Sequence, residues 1–389
     1  HPNAFYLRTR QRGMQNWDGK IHYITKTGQF KIGLLPKVYD MCIEMGIKPK
    51  VVDMRQPLPK VSKVVTKIGK YKLRPEQEKA VKSVINNRVG DTPFHIGVLD
   101  YTVNAGKTLI MSSLYLSYKK QLKTLLITND SDWLNQAREE FKQYLPGEDI
   151  TFVQGKVLNW SNFTIGMVQS ISRNMRFYQK ELSQIDMVLV DEADQGGSKQ
   201  YQNVITRLFN TRIRIGLSGT IYMSKLAKDK VKNMNLECFF GKVIAEFKLK
   251  DSIKKGYSTK TIVKMVPGKP WYGNWESDCI SYKEIYDDSI TENNTAWTMA
   301  YNRLRWNINQ GRYPALVVCK HIAHCENLYK FFKKKLGDAY NIAYVHVNTP
   351  SKLRQQIMRD FREGKIDILV STTIIARGKN FPKLRYLLN

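Results

Sequence analysis

From Tyr71 to about Ala245, short β-rich apolar runs alternate with helical stretches, and this alternation constrains the fold more than any other feature of the chain. The runs are residues 96–99, 124–128, 164–168, 187–190 and 213–217, with helices predicted at 76–86, 107–118 and 132–144. Strands apolar on both faces are buried on both faces, and strands joined through helices run parallel. A second series starts near Ala315: strand 315–319, helix 326–336, strand 342–346, helix 352–363 and strand 366–371. Two α/β layers built on parallel sheets are therefore expected. Residues 246–312 join them and include a predicted long polar-aromatic helix, 282–309. Ahead of both, residues 1–68 read as a small α+β unit. It has a turn into a strand at 17–24, a strand at 30–35, a helix at 36–45 closed by Gly46, and a strand at 50–54. A Pro-punctuated connector, Gln56-Pro57-Leu58-Pro59, follows.

Two motifs carry chemistry. The strand at 96–99 runs into a loop ending Asn104-Ala105-Gly106-Lys107-Thr108, and a helix follows. Loop N–H groups and the helix N-terminus of such a turn surround phosphates. Lys107 supplies a compact positive charge to those phosphates and Thr108 a hydroxyl to Mg²⁺. The first glycine of the G-x4-G-K-[ST] pattern is replaced here by Tyr101. About 85 residues further on, a second strand delivers Asp191-Glu192-Ala193-Asp194. Clustered carboxylates repel one another unless a cation sits among them. In a nucleotide hydrolase of this plan Asp191 holds Mg²⁺ through water, and Glu192 polarises the attacking water. ATP and Mg²⁺ are thus the expected cofactors, with Lys107, Asp191 and Glu192 catalytic.

Charge points to the partner. Lys plus Arg number 63 against 34 Asp plus Glu, a formal net charge of +29. Residues 1–70 alone hold 14 basic against 4 acidic residues. The natural counter-surface is a polyanion, nucleic acid foremost, although composition by itself also fits a merely soluble basic protein. No apolar run approaches the ~20 residues of a membrane span, and no membrane partner is expected. The chain opens His1-Pro2-Asn3-Ala4, with neither an initiator Met nor a signal-peptide pattern, which reads as trimmed. The five cysteines are odd in number and lack a CxxC pair, which favours a reducing compartment. Cys319, His321, His324 and Cys325 could be zinc ligands by type. They fall on a strand-to-helix turn that splays them, with no matching pair elsewhere, so no structural metal is expected.

In order and spacing, these residues resemble the superfamily 2 helicases, from about Tyr71 to the last residue. Leu73-Arg74-Pro75-Glu76-Gln77 resembles the adenine-reading Q motif, which implies Gln77 on the adenine edge with Arg74 nearby. Residues 128–136 with Phe141 resemble motif Ia, and Met167-Val168-Gln169-Ser170 resembles motif Ib. Both line the strand-tracking face in the family, which implies that Thr128, Gln169 and Ser170 meet nucleic acid. Leu217-Ser218-Gly219-Thr220 resembles motif III, whose Ser218 and Thr220 would couple hydrolysis to movement. Residues 317–325 resemble motif IV, implying Lys320 on nucleic acid, with Arg354 its following arginine. Residues 369–378 resemble motif V, implying Thr372 and Thr373 at the strand backbone and Arg377 and Gly378 at the nucleotide cleft. Asn380 stands where many relatives carry Asp. Motif VI does not appear before Asn389, so an arginine finger is expected beyond that residue. Trp17-Asp18-Gly19-Lys20-Ile21, followed by Gly33-Leu34-Leu35-Pro36, is similar to phage helicases of the UvsW type. Those relatives reverse forks and migrate branched DNA, which implies Trp17 and Lys20 on duplex DNA.

The resemblance implies an α/β fold of two RecA-like domains, parallel sheets with flanking helices, preceded by a small α+β N-terminal domain. The expected partition is 1–68, 69–245 (Q motif to motif III), 246–312 as connector, and 313–389 (motifs IV and V). The expected activity is an ATP-dependent DNA helicase acting on branched, forked or duplex DNA in phage replication, recombination and repair, with single strands also possible. The sequence leaves the oligomeric state open with a monomer favoured, and the expected location is the cytoplasm, that of the host cell if the chain is phage-encoded. Two alternatives stay open: a double-stranded DNA translocase that does not separate strands, and a non-motor, ATP-switched, structure-specific DNA-binding protein.

Overall fold

The structure, a computed structural model, describes residues 18–118, 121–155, 157–221, 227–260, 262–265, 281–375 and 381–389. The chain divides into two compact units, His1–Thr261 and Ile262–Asn389.

Unit 1 is built on an eight-stranded sheet. After helix α1 (Leu35–Glu44) and a two-residue-strand hairpin, β1 (Lys67–Ile68) and β2 (Tyr71–Lys72), helix α2 spans Pro75–Ile85. The sheet strands are β3 (Ile96–Tyr101), β4 (Thr124–Thr128), β5 (Ile150–Gln154), β6 (Phe163–Met167), β7 (Met187–Asp191), β8 (Ile213–Ser218) and β9 (Val243–Phe247). Helices α3 (Lys107–Ser117) and α4 (Ser131–Tyr144) cross back between strands, and α5 (Ala227–Phe240) precedes β9. The strand order is β9-β3-β8-β7-β4-β6-β5, all neighbours parallel, with a short antiparallel edge at Val157–Leu158. Every residue of β3, β4, β7 and β8 is buried, as sheets covered on both faces require. One core face gathers α2, α3 and α4, and the other gathers α5 with the segments around β7 and β8.

The described part of residues 1–68 packs into this same unit. Gly33 lies so close to α5 that a Cβ there would sit 2.1 Å from the Glu237 carbonyl oxygen. Leu34 is buried in the second core face, and Ile32, Leu35, Tyr39 and Val51 cover Val89, Phe94 and Ile96. Asp53 bridges Arg55 (2.8 Å) and Arg212 (3.4 Å). The strand expected at 30–35 is a 3-10 turn, Ile32–Leu34, running into α1. Pro36 at the head of that helix, with its fixed φ and missing N–H, favours helical entry there. The strand expected at 50–54 is absent as well. There Thr92 Oγ1 donates to the Val51 carbonyl at 3.1 Å, and the Asp53 carboxylate holds the two arginines.

Unit 2 contains helices α6 (Asn294–Asn309), α7 (Ile322–Leu336) and α8 (Ser351–Glu363), with strands β10 (Ala315–Cys319), β11 (Ile342–Val345), β12 (Ile368–Thr372) and β13 (Tyr386–Leu388). The sheet order is β11-β12-β10-β13, all parallel. The single helix expected at 282–309 is broken into Tyr282–Tyr286, a π turn at Asp287–Thr291, and α6. Asn293 Oδ1 accepts the N–H groups of Thr295 (2.9 Å) and Ala296 (3.1 Å), starting α6 afresh. Such a cap competes with helix continuation. Among the described residues, no helix is long and apolar enough to cross a membrane.

Candidate functional site

Parallel strands in unit 1 bring the motif residues to one edge of the sheet, because each motif follows the C-terminal end of its strand. Beyond β3 the backbone turns through two left-handed residues, Asn104 (φ 61°) and Gly106 (φ 73°), and Lys107 opens α3. Glycine is required at 106 twice over. The left-handed φ disfavours a side chain, and a Cβ would meet Gln77 Nε2 at 2.3 Å.

Lys107 Nζ lies 3.9 Å from Asp191 Oδ1 at the end of β7. Asp191 is 2% exposed, and its Oδ1 accepts no hydrogen bond among the described residues. Burial pushes its carboxyl up to about 6, against the pull of Lys107. A buried carboxylate oxygen left open beside an ammonium, with the Thr108 hydroxyl in the first turn of α3, is a donor set that suits a hydrated divalent cation. Asp191 and Thr108 would hold Mg²⁺ there, which would screen phosphate charge. Glu192 adopts φ 52°, a left-handed conformation rare outside glycine. Strain of this kind collects at functional turns.

The sequence-predicted coupling residues reach this acidic turn. Ser218 Oγ donates to Asp194 Oδ1 at 3.2 Å, and the Thr220 N–H donates to Ser218 Oγ at 3.2 Å. Gly219 between them fits against the loop entry, where a Cβ would lie 2.9 Å from Thr102 Cα.

Gln77 and Arg74 hold the loop from beneath. Gln77 is 2% exposed; its Oε1 accepts the Arg74 N–H (2.8 Å) and its Nε2 donates to the Ala105 carbonyl (2.8 Å). Both ends of the amide therefore face protein in this structure, the adenine edge notwithstanding. Arg74 Nη2 donates to the Asn104 carbonyl at 3.0 Å, and its guanidinium stacks 4.2 Å from the Tyr257 ring centroid.

Of the residues expected on nucleic acid, Thr128 is buried, its Oγ1 accepting the Asp130 N–H at 3.2 Å. Ser170 is buried too, and its hydroxyl accepts the Gly155 N–H at 2.9 Å. Both shape the turns at the ends of β4 and β6. Gln169 is half-buried and donates to the Asn129 carbonyl at 3.3 Å, while Asn129 Nδ2 donates to Gln195 Oε1. A chain of side chains thus runs from the residue after Asp191-Glu192-Ala193-Asp194 to motif Ib. The sequence alone singled out neither Asn129 nor Gln195, nor Tyr257. Asn129 lies inside the quoted motif Ia stretch and Gln195 directly follows the acidic motif, so position was the available signal. Tyr257 carried none.

In unit 2, Lys320 follows β10 and Thr373 follows β12, and these strands pair through Cys319 and Thr372, so both residues stand at one sheet edge. Lys320 and Thr373 are exposed, and Thr372 is buried. Lys320 Nζ sits 5.7 Å over the Tyr286 ring. Cys319 and Cys325 are buried thiols that contact each other, and among the described residues no cluster of three or more His, Cys, Asp or Glu side chains is placed to hold a metal ion. Lys20 is exposed and its N–H donates to Asp18 Oδ1 at 2.8 Å. Trp17, Arg377 and Gly378 lie outside the described residues.

Residues 70–223 match the family model described as the type III restriction enzyme res subunit, and residues 300–389 match the helicase conserved C-terminal domain. The chain belongs to the superfamily 2 helicases. The first match takes in Lys107, Asp191, Ser218 and Thr220, and the second Lys320, Thr372 and Thr373. An ATP-dependent RNA helicase of Candida albicans, CHR1, is 22% identical to this superfamily 2 chain over 215 residues, 54% of this chain and 31% of that protein. The chain spans from about a tenth to about half of the length of the curated relatives it matches. Among solved structures, UvsW of bacteriophage T4 is 20% identical with a TM-score of 0.47, covering 96% of this chain and 74% of its own. Dbp5 of S. cerevisiae, bound to RNA and ADP BeF3, is 15% identical with a TM-score of 0.54, covering 82% and 74%. The Dbp5 likeness is one of fold.

Proposed function

We propose that this chain is an ATP-hydrolysing motor acting on DNA, with branched, forked or duplex DNA preferred over single strands. The observation that carries the motor reading is the polar path from Asp194 and Gln195 to Ser218 on one side and to Asn129 and Gln169 on the other. Whatever moves the acidic turn during hydrolysis is felt at the strand ends where motifs Ia and Ib sit. Lys107 binds phosphate, Asp191 and Thr108 hold Mg²⁺, and Glu192 orients the attacking water. Strand-end movement coupled to turnover ratchets the protein along a phosphate backbone. The net charge of +29 supports a polyanionic track with largely sequence-independent affinity. The N-terminal resemblance to phage fork-remodelling helicases supports DNA as the track and a role in replication, recombination or repair.

The test is ATP turnover with single-stranded, duplex, forked and four-way DNA and with RNA of matched length. Turnover should rise on DNA and most on branched forms. Lys107→Ala should abolish it, and Glu192→Gln should bind ATP and DNA with turnover reduced at least ~10²-fold, the scale of a lost acid–base group. Stimulation by RNA above every DNA form overturns the DNA reading. No stimulation by any nucleic acid overturns the motor.

A further inference from the structure

The sequence from Met54 to Pro75 contains seven basic residues and no acidic one. Its centre is the hairpin of β1 and β2, where Lys67 pairs directly with Lys72 and Ile68 with Tyr71. Opposite residues in an antiparallel pair share a face, and like charges placed so are destabilising. Ile68 is buried and Tyr71 half-buried, so one face of the hairpin serves the core, while Lys67, Lys70 and Lys72 are exposed. None of the three has a carboxylate partner among the described residues.

The hairpin is firmly held. Gly69 takes φ 55° at the turn. The Val65 N–H donates to Ser117 Oγ at 3.0 Å, Ser113 Oγ donates to the Val65 carbonyl at 2.6 Å, and the Leu73 N–H closes on the Thr66 carbonyl at 2.8 Å. Gln143 Nε2 donates to the Tyr71 hydroxyl at 2.7 Å, and the Tyr71 ring stands edge-on to Tyr144 at 5.1 Å. A fold that accepts a like-charge pair on a fixed support is presenting those charges to something.

These anchors also fix where the hairpin is. Ser113 and Ser117 belong to the later turns of α3, which starts at Lys107, and Tyr144 ends α4, which starts just beyond Thr128. A helix of 14 residues spans about 20 Å. The lysines therefore stand toward the opposite end of these helices from the edge carrying Lys107, Thr128 and Gln169.

We propose that this hairpin is a second nucleic-acid contact of unit 1, one that grips the phosphate backbone of a duplex DNA arm other than the segment at the motif edge. The inference rests on the DNA reading above. A duplex is favoured over a single strand because the hairpin offers no free base-stacking platform: Tyr71, its one aromatic residue, is committed to Gln143, Tyr144 and Lys70. Charges without stacking partners read phosphate density, which is highest on duplex.

The experiment compares the parent chain with K67Q/K70Q/K72Q and K67R/K70R/K72R. Dissociation constants are measured on a 30-base-pair duplex, a four-way junction and a 12-nucleotide single strand over a range of salt. The glutamine variant should bind duplex and junction with a log–log salt slope shallower by ~2–3, at about 0.9 for each phosphate no longer neutralised. The arginine variant should keep the parent slope, and the 12-nucleotide strand should bind all three proteins alike. Relief of the Lys67–Lys72 repulsion should leave the glutamine variant melting at or above the parent temperature. If it melts early instead, K72Q alone carries the test, with an expected slope change of about 0.9 on duplex and none on the short strand. An unchanged slope, or an equal loss on the 12-nucleotide strand, overturns the second contact. A parent chain that binds none of these DNAs overturns the DNA reading itself, which separates the two failures.

Discussion

A carboxylate buried as deeply as Asp191, with an oxygen that accepts no hydrogen bond among the described residues, costs the fold free energy whenever it is ionised. Its pKa rises from 3.8 to about 6 on burial. Below about pH 4 the group is protonated in folded and unfolded chains alike, and no penalty applies. As pH rises from there through about 6, the unfolded chain ionises readily and the folded one reluctantly, so stability falls, and above that range the full cost is present. A tenfold difference in acidity between the two states corresponds to about 1.4 kcal/mol. Without divalent cation, Asp191→Asn should therefore stabilise unit 1 by ~1–3 kcal/mol at pH 7.5 and by little at pH 4. The same variant should lose ATP turnover and the stabilisation that Mg²⁺ gives the parent. Denaturant unfolding in EDTA at both pH values checks this, and an equal gain at the two would refute the ionisation argument. The pairing of loop and acidic turn was legible at this scale: Gly-Lys-Thr and the four-residue acidic motif stand out because phosphate and metal binding demand particular residues at particular offsets, and the fold sets Lys107 beside Asp191. What Gln77 does was less legible. Its amide could serve a base edge or a backbone carbonyl equally well, and only the fold shows it bonded to Ala105.

At the scale of elements, strands buried on both faces were readable almost to the residue, since continuous apolar runs between polar turns leave little choice of register. The expected strand at 315–319 is β10 itself, and 124–128 is β4. Predictions failed where local structure overruled the pattern, as the 3-10 turn Ile32–Leu34 did ahead of the expected helix at Pro36, and as Asn293 did by capping a helix in mid-run. Contacts between elements were invisible, because Asn129 and Gln195 are 66 residues apart. That pair yields a prediction. Gln195→Ala removes a hydrogen bond that links the acidic turn to motif Ia, without touching Lys107, Asp191 or Glu192. Basal ATP turnover should stay near the parent value, while the ratio of DNA-stimulated to basal rate should fall by ~2–10-fold, the range of one ordinary hydrogen bond. Steady-state kinetics with and without saturating duplex decide it. A parallel drop in both rates would make Gln195 part of the hydrolytic site, and an unchanged ratio would remove the path as a coupling route.

For the whole molecule, residues 1–68 raise the question of whether charge or packing is their contribution. The sequence suggested a basic module joined by a linker, because the Pro-rich stretch at 56–59 looks like a boundary and burial cannot be read from composition. In the fold the described part of this segment lies in unit 1, and Leu34 completes a core face shared with β7 and α5. Deleting it would strip the sheet as well as remove charge, since each large apolar side chain uncovered costs about 1.5–3 kcal/mol. A single methyl group separates the possibilities more cleanly. In Gly33→Ala the new Cβ would meet the Glu237 carbonyl at 2.1 Å, the Cys238 carbonyl at 2.7 Å and the Gly241 nitrogen at 2.7 Å. All three are backbone atoms that cannot swing aside, and overpacking of this sort typically costs about 1–3 kcal/mol or more. If the N-terminal segment is integral to unit 1, that cost should lower the unfolding midpoint followed by binding of ATP, the ligand proposed for the loop at Lys107, although the net charge is untouched. An unchanged ATP-binding midpoint, with only an early, small loss of helical signal, would instead describe a module that melts by itself, and deletion would then be the right way to measure what its lysines contribute.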